Sequence, residues 1–134
     1  MEREPVFLNL EVTLQLHADS LDMFGGTDGI RDQGLIESAL ASARNSWLYG
    51  RSDTYGIAAA YAYHLAESQA FLDGNKRTGV AAALTFLAAN GEGYITDNGK
   101  IYTAMIAIAE RRMTKPQLAE LLRTVFRETS APET

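Results

Sequence analysis

Residues 56–90 read GIAAAYAYHLAESQAFLDGNKRTGVAAALTFLAAN, and the fold turns on how this stretch is read. The first part, from Gly56 to Gln69, is apolar nearly all the way round, with Ile57, Ala58, Ala59, Ala60, Tyr61, Ala62, Tyr63, Leu65 and Ala66. The last part, beginning at Thr78, is likewise apolar on every side from Val80 to Ala89, and Gly91 supplies a common helix stop. A helix without a polar face is buried on most sides. Alanine predominates in both segments and permits close backbone approach, so the two helices are expected to pack together at the centre of one domain.

Outward from this pair, the chain shows helical periodicity and no confident strand. Residues from about Leu8 to Phe24 place Leu10, Leu14, Leu21 and Phe24 on one stripe, with His17 among them. His17 reads either as a packed histidine with one bonded nitrogen or as a catalytic group. The glycine-rich GGTDGIRDQG comes next, with an exposed-looking Arg31; it is a plain connector or a mobile rim over a site. Asp32 offers a cap for a second helix, GLIESALASA, with Leu35, Ile36, Ala39, Leu40 and Ala43 on one face. NSWLYGRSD (45–53) reads as a second connection whose Trp47, Leu48 and Tyr49 plug the core edge. Asp53 or Thr54 caps the third helix.

Beyond residue 90, GEGYITDNG is a turn with a short extended piece at Tyr94–Thr96. A fifth helix is expected from about Lys100 to Arg112, with Ile101, Met105, Ile108 and Ala109 on its stripe. A sixth opens at Thr114 with Pro116 in its first turn, where proline is tolerated, and carries Leu118, Leu121, Leu122, Val125 and Phe126. The pattern predicts an all-α fold of six helices, one domain over 1–134 with its core at about 5–126 and a frayed tail from 127 to 134.

Composition narrows the function classes. A chain of 134 residues with 46% hydrophobic and 22% charged residues is ordinary for one globular core. It has no cysteine and two histidines, His17 and His64, without zinc-site spacing. The N-terminal MEREPVFLNL lacks the apolar core of a signal peptide, and no apolar run suffices to span a membrane; the expected location is the cytoplasm. A formal net charge of −5 argues against a nucleic-acid surface, although a local basic spot can hold one phosphate.

That spot lies between the two central helices, in QAFLDGNKR (69–77). Lys76 and Arg77 fall in the first turn of the fourth helix, the wrong end for cations by about 0.3–1 kcal/mol per charge. Unbonded N–H groups at the same place also need an acceptor. A bound phosphate satisfies both: Gly74 permits close approach, Asn75 offers an amide, and Arg77 offers a planar fork. Asp73 balances the cations, holds a magnesium ion carrying the phosphates, or orients an attacking hydroxyl. Phe71 points into the core. An ordinary Asp-Gly-Asn turn flanked by surface cations is the simpler alternative. No P-loop is present.

QAFLDGNKR resembles the signature of the Fic/Doc superfamily, H-x-F-x-[D/N]-G/A-N-x-R, and NKRT resembles its Doc (death-on-curing) branch, since Fic proteins have glycine in place of Lys76. The likeness covers about residues 5 to 125: FLNLEVTLQLHADSLDMFGGTDGIRDQGLIESALA is similar to the N-terminal half of death-on-curing proteins, and AAALTFLAANG to the segment just after their motif. The resemblance implies a compact six-helix bundle with two buried central helices. It also implies transfer of a phosphate-containing group from a nucleotide, ATP with Mg2+, to a protein hydroxyl. Fic members mostly move AMP; Doc members bind the nucleotide inverted and transfer the γ-phosphate, with elongation factor Tu as target. By position, Phe71 anchors the loop, Asp73 serves metal or substrate orientation, and Gly74, Asn75, Lys76 and Arg77 cradle phosphates, Lys76 also serving the transfer. Doc proteins are toxins paired with a small, Phd-like antitoxin whose C-terminal segment covers the site. The inhibitory [S/T]-x-x-x-E-[G/N] helix of some Fic proteins has no counterpart here, so restraint would come from a separate chain.

One position departs from the pattern. Gln69 stands where the family has the histidine that takes the proton from the attacking hydroxyl, and loss of a general base costs about 10²–10⁴-fold. Phosphoryl transfer relies mainly on positioning and charge stabilisation, so the substitution implies weakened transfer or a binding module without catalysis. As replacement bases, His64 lies five residues earlier, about 140° round the helix from Gln69. Glu67 would need a raised pKa. Asp73 is already in the site.

Overall fold

In a computed structural model, residues 3–130 are described. Among them the elements are α1 (Leu10–Phe24), α2 (Gln33–Leu48), α3 (Thr54–Ser68), α4 (Asn75–Ala89), α5 (Gly99–Ala109) and α6 (Lys115–Ser130). The all-α, six-helix architecture expected from the sequence is present.

The α3–α4 pair forms the centre. Ile57 through Ala62 are all fully buried in α3, as are Ala82, Ala83, Phe86 and Leu87 in α4. The small residues set the separation of the helices: a Cβ on Gly79 would lie 2.7 Å from the Ala62 carbonyl oxygen. Around the pair, α2 contributes Ile36, Ala39 and Ala43, α5 contributes Ile101, Ala104 and Met105, and α6 contributes Leu118, Leu122 and Phe126. The N-terminal segment is strapped to this centre. The Leu8 amide donates to the Tyr61 hydroxyl at 3.0 Å, and Asn90 bonds both the amide and the carbonyl of Val6.

Helix boundaries follow local chemistry. Asn9 caps α1 through Val12 N–H, and Asp53, rather than Thr54, caps α3 through Gly56 N–H at 2.8 Å. Thr114 and Gln117 form a reciprocal capping box at the start of α6. At the end of α5, Arg111 (φ 61) takes the left-handed position usually held by glycine. Its successor Arg112 donates back to the Ala107 carbonyl, which closes the helix at Ala109 rather than near Arg112.

Several expectations are corrected. In α1 the fully buried residues are Thr13, His17 and Ser20; Leu10 and Leu14 are half-buried and pack against the core as their stripe predicts, whereas Phe24 is exposed. Residues 45–48 belong to α2, because nothing before Gly50 breaks the helix. Trp47 packs edge-on against Phe7 at 6.0 Å, but Leu48 and Tyr49 are exposed and plug nothing. No extended piece pairs at Tyr94–Thr96, where Tyr94 is exposed and no neighbouring segment supplies a ladder. Ala109 faces solvent, while Ala104 and Ala107 complete the buried stripe of α5. Helix α6 continues to Ser130 instead of fraying from Arg127, and 131–134 lie outside the described residues.

Candidate functional site

The chain between α3 and α4 makes two left-handed turns. Gln69 (φ 52, ψ 36) ends α3, and Gly74 (φ 79, ψ 19) leads into α4. Glycine adopts the second conformation without cost, whereas a non-glycine residue such as Gln69 is uncommon in the first.

Between these turns the loop is held from three sides, mostly by its carbonyls. Arg31, from the glycine-rich segment before α2, donates Nε–H to the Gln69 carbonyl at 2.7 Å and Nη2–H to that of Ser68 at 3.2 Å. Its own amide and that of Asp32 donate to the Ala70 carbonyl, and Leu72 N–H donates to the Gly29 carbonyl. Ile30 and Phe71 thus form an antiparallel bridge. From α1, His17 Nε2 lies 2.8 Å from the Asp73 carbonyl oxygen, and its ring stacks on Phe71 with centroids 3.8 Å apart and planes within 9°. From α4, Asn75 Oδ1 accepts from Phe71 N–H and its Nδ2 donates to the Phe71 carbonyl. The Gly74 carbonyl takes the first bond of α4, from Thr78 N–H.

The opposite polarity is left open. The first amides of α4 have no intrahelical acceptor, as at any helix N-terminus, and no side chain caps them or places an acid in that first turn. Beside them, Gln69, Leu72, Asp73, Gly74, Asn75, Lys76 and Arg77 line a cleft of about 240 Å³. Arg77 Nη2 donates to the Gly25 carbonyl at 3.2 Å, and its guanidinium lies 5.5 Å over the Phe24 ring. Asp73 Oδ2 accepts from Thr27 N–H and Oδ1 from Gly74 N–H. The bond from Thr27 and then that from Gly74 hold its carboxyl below the usual carboxylate range, with Arg77 and His17 adding to the effect. Gly26 is required here, since a Cβ would come within 2.6 Å of Asp73 Oδ2.

The predicted residues therefore converge, with adjusted roles. Phe71 is buried, pointing into the core as expected. The Asn75 amide, expected to meet phosphate, is taken up by the backbone of Phe71. The Gln69 side chain turns back to donate to the Ala66 carbonyl at 3.0 Å. His64 stands elsewhere, with Nε2 3.1 Å from Lys115 Nζ; burial, then the Lys115 charge, lowers its pKa to about 4. Glu67 does not line the cleft.

Arg31, Thr27, Gly26 and Gly29 were not singled out as site residues from the sequence. Their signal is the spacing of glycines around one arginine in GGTDGIR, which leaves a connector and a rim equally open. The bonds to 68–72 make it a rim tied to the motif loop.

Asp73 is a single carboxylate with room for a further ligand bond. Each oxygen accepts a single bond and keeps a free lone pair, yet no group of three or more His, Cys, Asp or Glu side chains forms a cage among the described residues. A lone carboxylate suits Mg2+ that arrives with nucleotide phosphates. A larger groove of about 490 Å³, lined by Leu84, Thr85, Ala88, Tyr94, Ile95 and Phe126 among others, offers no charged side chain. Among the described residues no helix is long and apolar enough to cross a membrane.

The sequence has known relatives. The chain is similar to the protein kinase doc of Escherichia phage P1, 26% identical over 117 residues, which span 87% of this chain and 92% of that protein. It is also similar to the toxin Doc of Mycolicibacterium smegmatis, 46% identical over 72 residues, 51% of this chain and 54% of that one. The model of the Fic/DOC family matches residues 7–87, from the strap before α1 through most of α4, and the chain belongs to that family.

Proposed function

We propose that this protein is a Doc-like toxin of a toxin–antitoxin system that transfers a phosphate-containing group from ATP to a protein hydroxyl, with activity weakened at Gln69. One observation carries this reading. The carbonyls of Ser68, Gln69, Ala70, Phe71, Asp73 and Gly74 meet protein donors, which leaves the amides at the start of α4, Lys76 and Arg77 to face an anion. Similarity to two Doc proteins supports the toxin assignment.

In this reading the amides of Asn75, Lys76 and Arg77 bind phosphate oxygens, with Arg77 as a fork and Lys76 as a point charge. Gly74 keeps the backbone accessible. Asp73 orients the attacking hydroxyl and would hold Mg2+, which when bound neutralises phosphate charge. The hydroxyl oxygen forms a bond to phosphorus as the bond to the leaving ADP or pyrophosphate breaks. The hydroxyl proton passes to Asp73 or to the transferred group. A carboxylate held below its usual pKa is a poor base, and this supports slow transfer. Elongation factor Tu is the first target to test, and a small Phd-like antitoxin covering the cleft is the expected partner.

The bond from Gln69 Nε2 to the Ala66 carbonyl favours a second reading, a nucleotide- or antitoxin-binding module without catalysis, since it turns the amide away from the reacting groups. Incubation with Mg2+, elongation factor Tu and ATP labelled at the α- or the γ-phosphate separates the two. Label transfer that disappears in Asp73→Ala and Arg77→Ala is the expected result, and the labelled position distinguishes AMP from phosphoryl transfer. Nucleotide binding without transfer from either label would leave the module.

A further inference from the structure

We infer that His17 is a positioning residue of the motif loop, acting as an Nε2–H donor to the Asp73 carbonyl, and that it does not replace the missing general base. His17 is one of two histidines in the chain, and it stands directly against the motif. The residue is 4% exposed, and its ring lies between α1 and the loop. The contact atom decides its role. A carbonyl oxygen only accepts, so the nitrogen 2.8 Å from it carries the hydrogen. A protonated nitrogen bonded to the loop backbone is not available to take a proton from a substrate hydroxyl, and the remaining acceptor, Nδ1, belongs to a residue that does not line the cleft.

The same bond has a consequence for the cleft. The peptide unit is planar and trans, so its C=O and N–H point to opposite sides. Turning the Asp73 carbonyl toward α1 directs the Gly74 N–H to the side where it meets Asp73 Oδ1 at 2.8 Å. Left-handed Gly74 then swings the chain into α4. The ring lies close beneath this turn: a Cβ on Gly74 would sit 3.6 Å from His17 Cδ2 and 3.7 Å from Nε2. Stacking on Phe71, which Asn75 holds from the other side, keeps the ring from sliding away from the carbonyl. Donor and ring face therefore do separate work, one setting the peptide and the other setting the donor.

Only the effect on anion binding rests on the phosphate reading proposed above; the effect on the loop stands without it. The test uses the full-length, ¹⁵N-labelled protein with inorganic pyrophosphate as probe. Long-range proton–nitrogen spectra report the tautomer, backbone amide signals of residues 74–77 report the loop, and titration reports affinity. The hydrogen is expected on Nε2. His17→Phe, which keeps the ring and removes the donor, is expected to move those amide signals and weaken pyrophosphate binding about tenfold or more. His17→Gln, which keeps a donor and removes the ring, is expected to recover part of that loss even where it melts at a lower temperature than His17→Phe. Wild-type loop signals and affinity in His17→Phe would overturn the inference, as would finding Nε2 without a hydrogen in the unsubstituted protein. Should His17→Phe fail to fold, the tautomer and His17→Gln still decide. Failure of the unsubstituted protein to bind pyrophosphate would overturn the phosphate reading alone, while the tautomer and loop signals continue to decide the role of His17.

Discussion

The Asn75 side chain closes on the backbone of Phe71, accepting from its amide at 3.0 Å and donating to its carbonyl at 2.9 Å. Both residues are buried, so the pair fixes a five-residue turn where water cannot compete. Because one residue begins α4 and the other stacks on His17 of α1, this clamp links α4 to α1 through the motif loop.

Asn75→Ala leaves a buried N–H and a buried C=O of Phe71 without partners. Urea unfolding is expected to show a loss of about 1–3 kcal/mol. Asn75→Asp keeps the acceptor and removes the donor, and it should be destabilising as well. A variant as stable as the parent would show that the loop holds itself.

Gly79→Ala drives a methyl group to within 2.7 Å of the Ala62 carbonyl oxygen, where the central helices touch. Separating them costs about 1–3 kcal/mol. Gly91→Ala meets nothing within 4 Å but retains a φ of +84, so it should cost about 1 kcal/mol through backbone strain alone. Thermal melts are expected to rank Gly79→Ala well below Gly91→Ala, and equal melting temperatures would refute the close approach.

Gln69→His restores a side chain that accepts a proton near neutral pH, at a left-handed position that histidine tolerates. Label transfer from ATP is expected to rise by about 10²-fold or more. A rate equal to that of Gln69 would remove position 69 from the proton path.

Acid should act on the fold in two separate windows. His64 has its pKa lowered from 6.5 to about 4, so the folded state resists protonation that the unfolded chain accepts. The stability associated with neutral His64 is complete above 6.5 and declines as the pH falls toward 4. His64→Gln is expected to flatten that decline in urea midpoints. A parent protein equally stable at both ends of the window contradicts the assignment.

Asp73 acts lower. Its folded pKa lies below the ordinary 3.8, so its contribution is present at neutral pH and disappears as the pH falls below 3.8 through the folded value. Asp73→Asn should therefore be less stable than the parent at neutral pH and converge with it in strong acid. Parallel pH curves for the two proteins would show that the bonds from Thr27 and Gly74 do not favour the ionised form.

Legibility in the sequence tracks how local each cause is. The two central helices are readable because every face of 57–66 and 80–89 is apolar, and such segments have nowhere to go but the core. Asn75 is readable as a motif residue but not in its role, because an amide can bond a phosphate or its own backbone. The turn that delivers Phe71 to it exists only when α3 and α4 are in place. The end of α2 is misplaced at Asn45 because bulky residues between two polar ones resemble a loop, while only Gly50 breaks the helix. The buried stripe of α1 escapes the sequence for a different reason. Its most buried residues, Thr13, His17 and Ser20, are polar, and His17 is covered by Phe71 and the Asp73 carbonyl of the motif loop, which no hydropathy period can reveal.

What the sequence by itself determined is the six-helix order, the buried pair at its centre, the family motif between them and the glutamine at its head. These depend on composition and periodicity over one or two turns of chain. Only the tertiary structure decided that Arg31 and His17, 38 and 56 residues from the backbone atoms they bond, orient that motif. It also decided that Asn75 turns inward and that His64 faces α6 instead of the cleft. The Arg31, His17 and His64 contacts join segments far apart in sequence, so their partners are chosen by how the helices pack, and the Asn75 clamp, although local, closes on a loop whose path those contacts set.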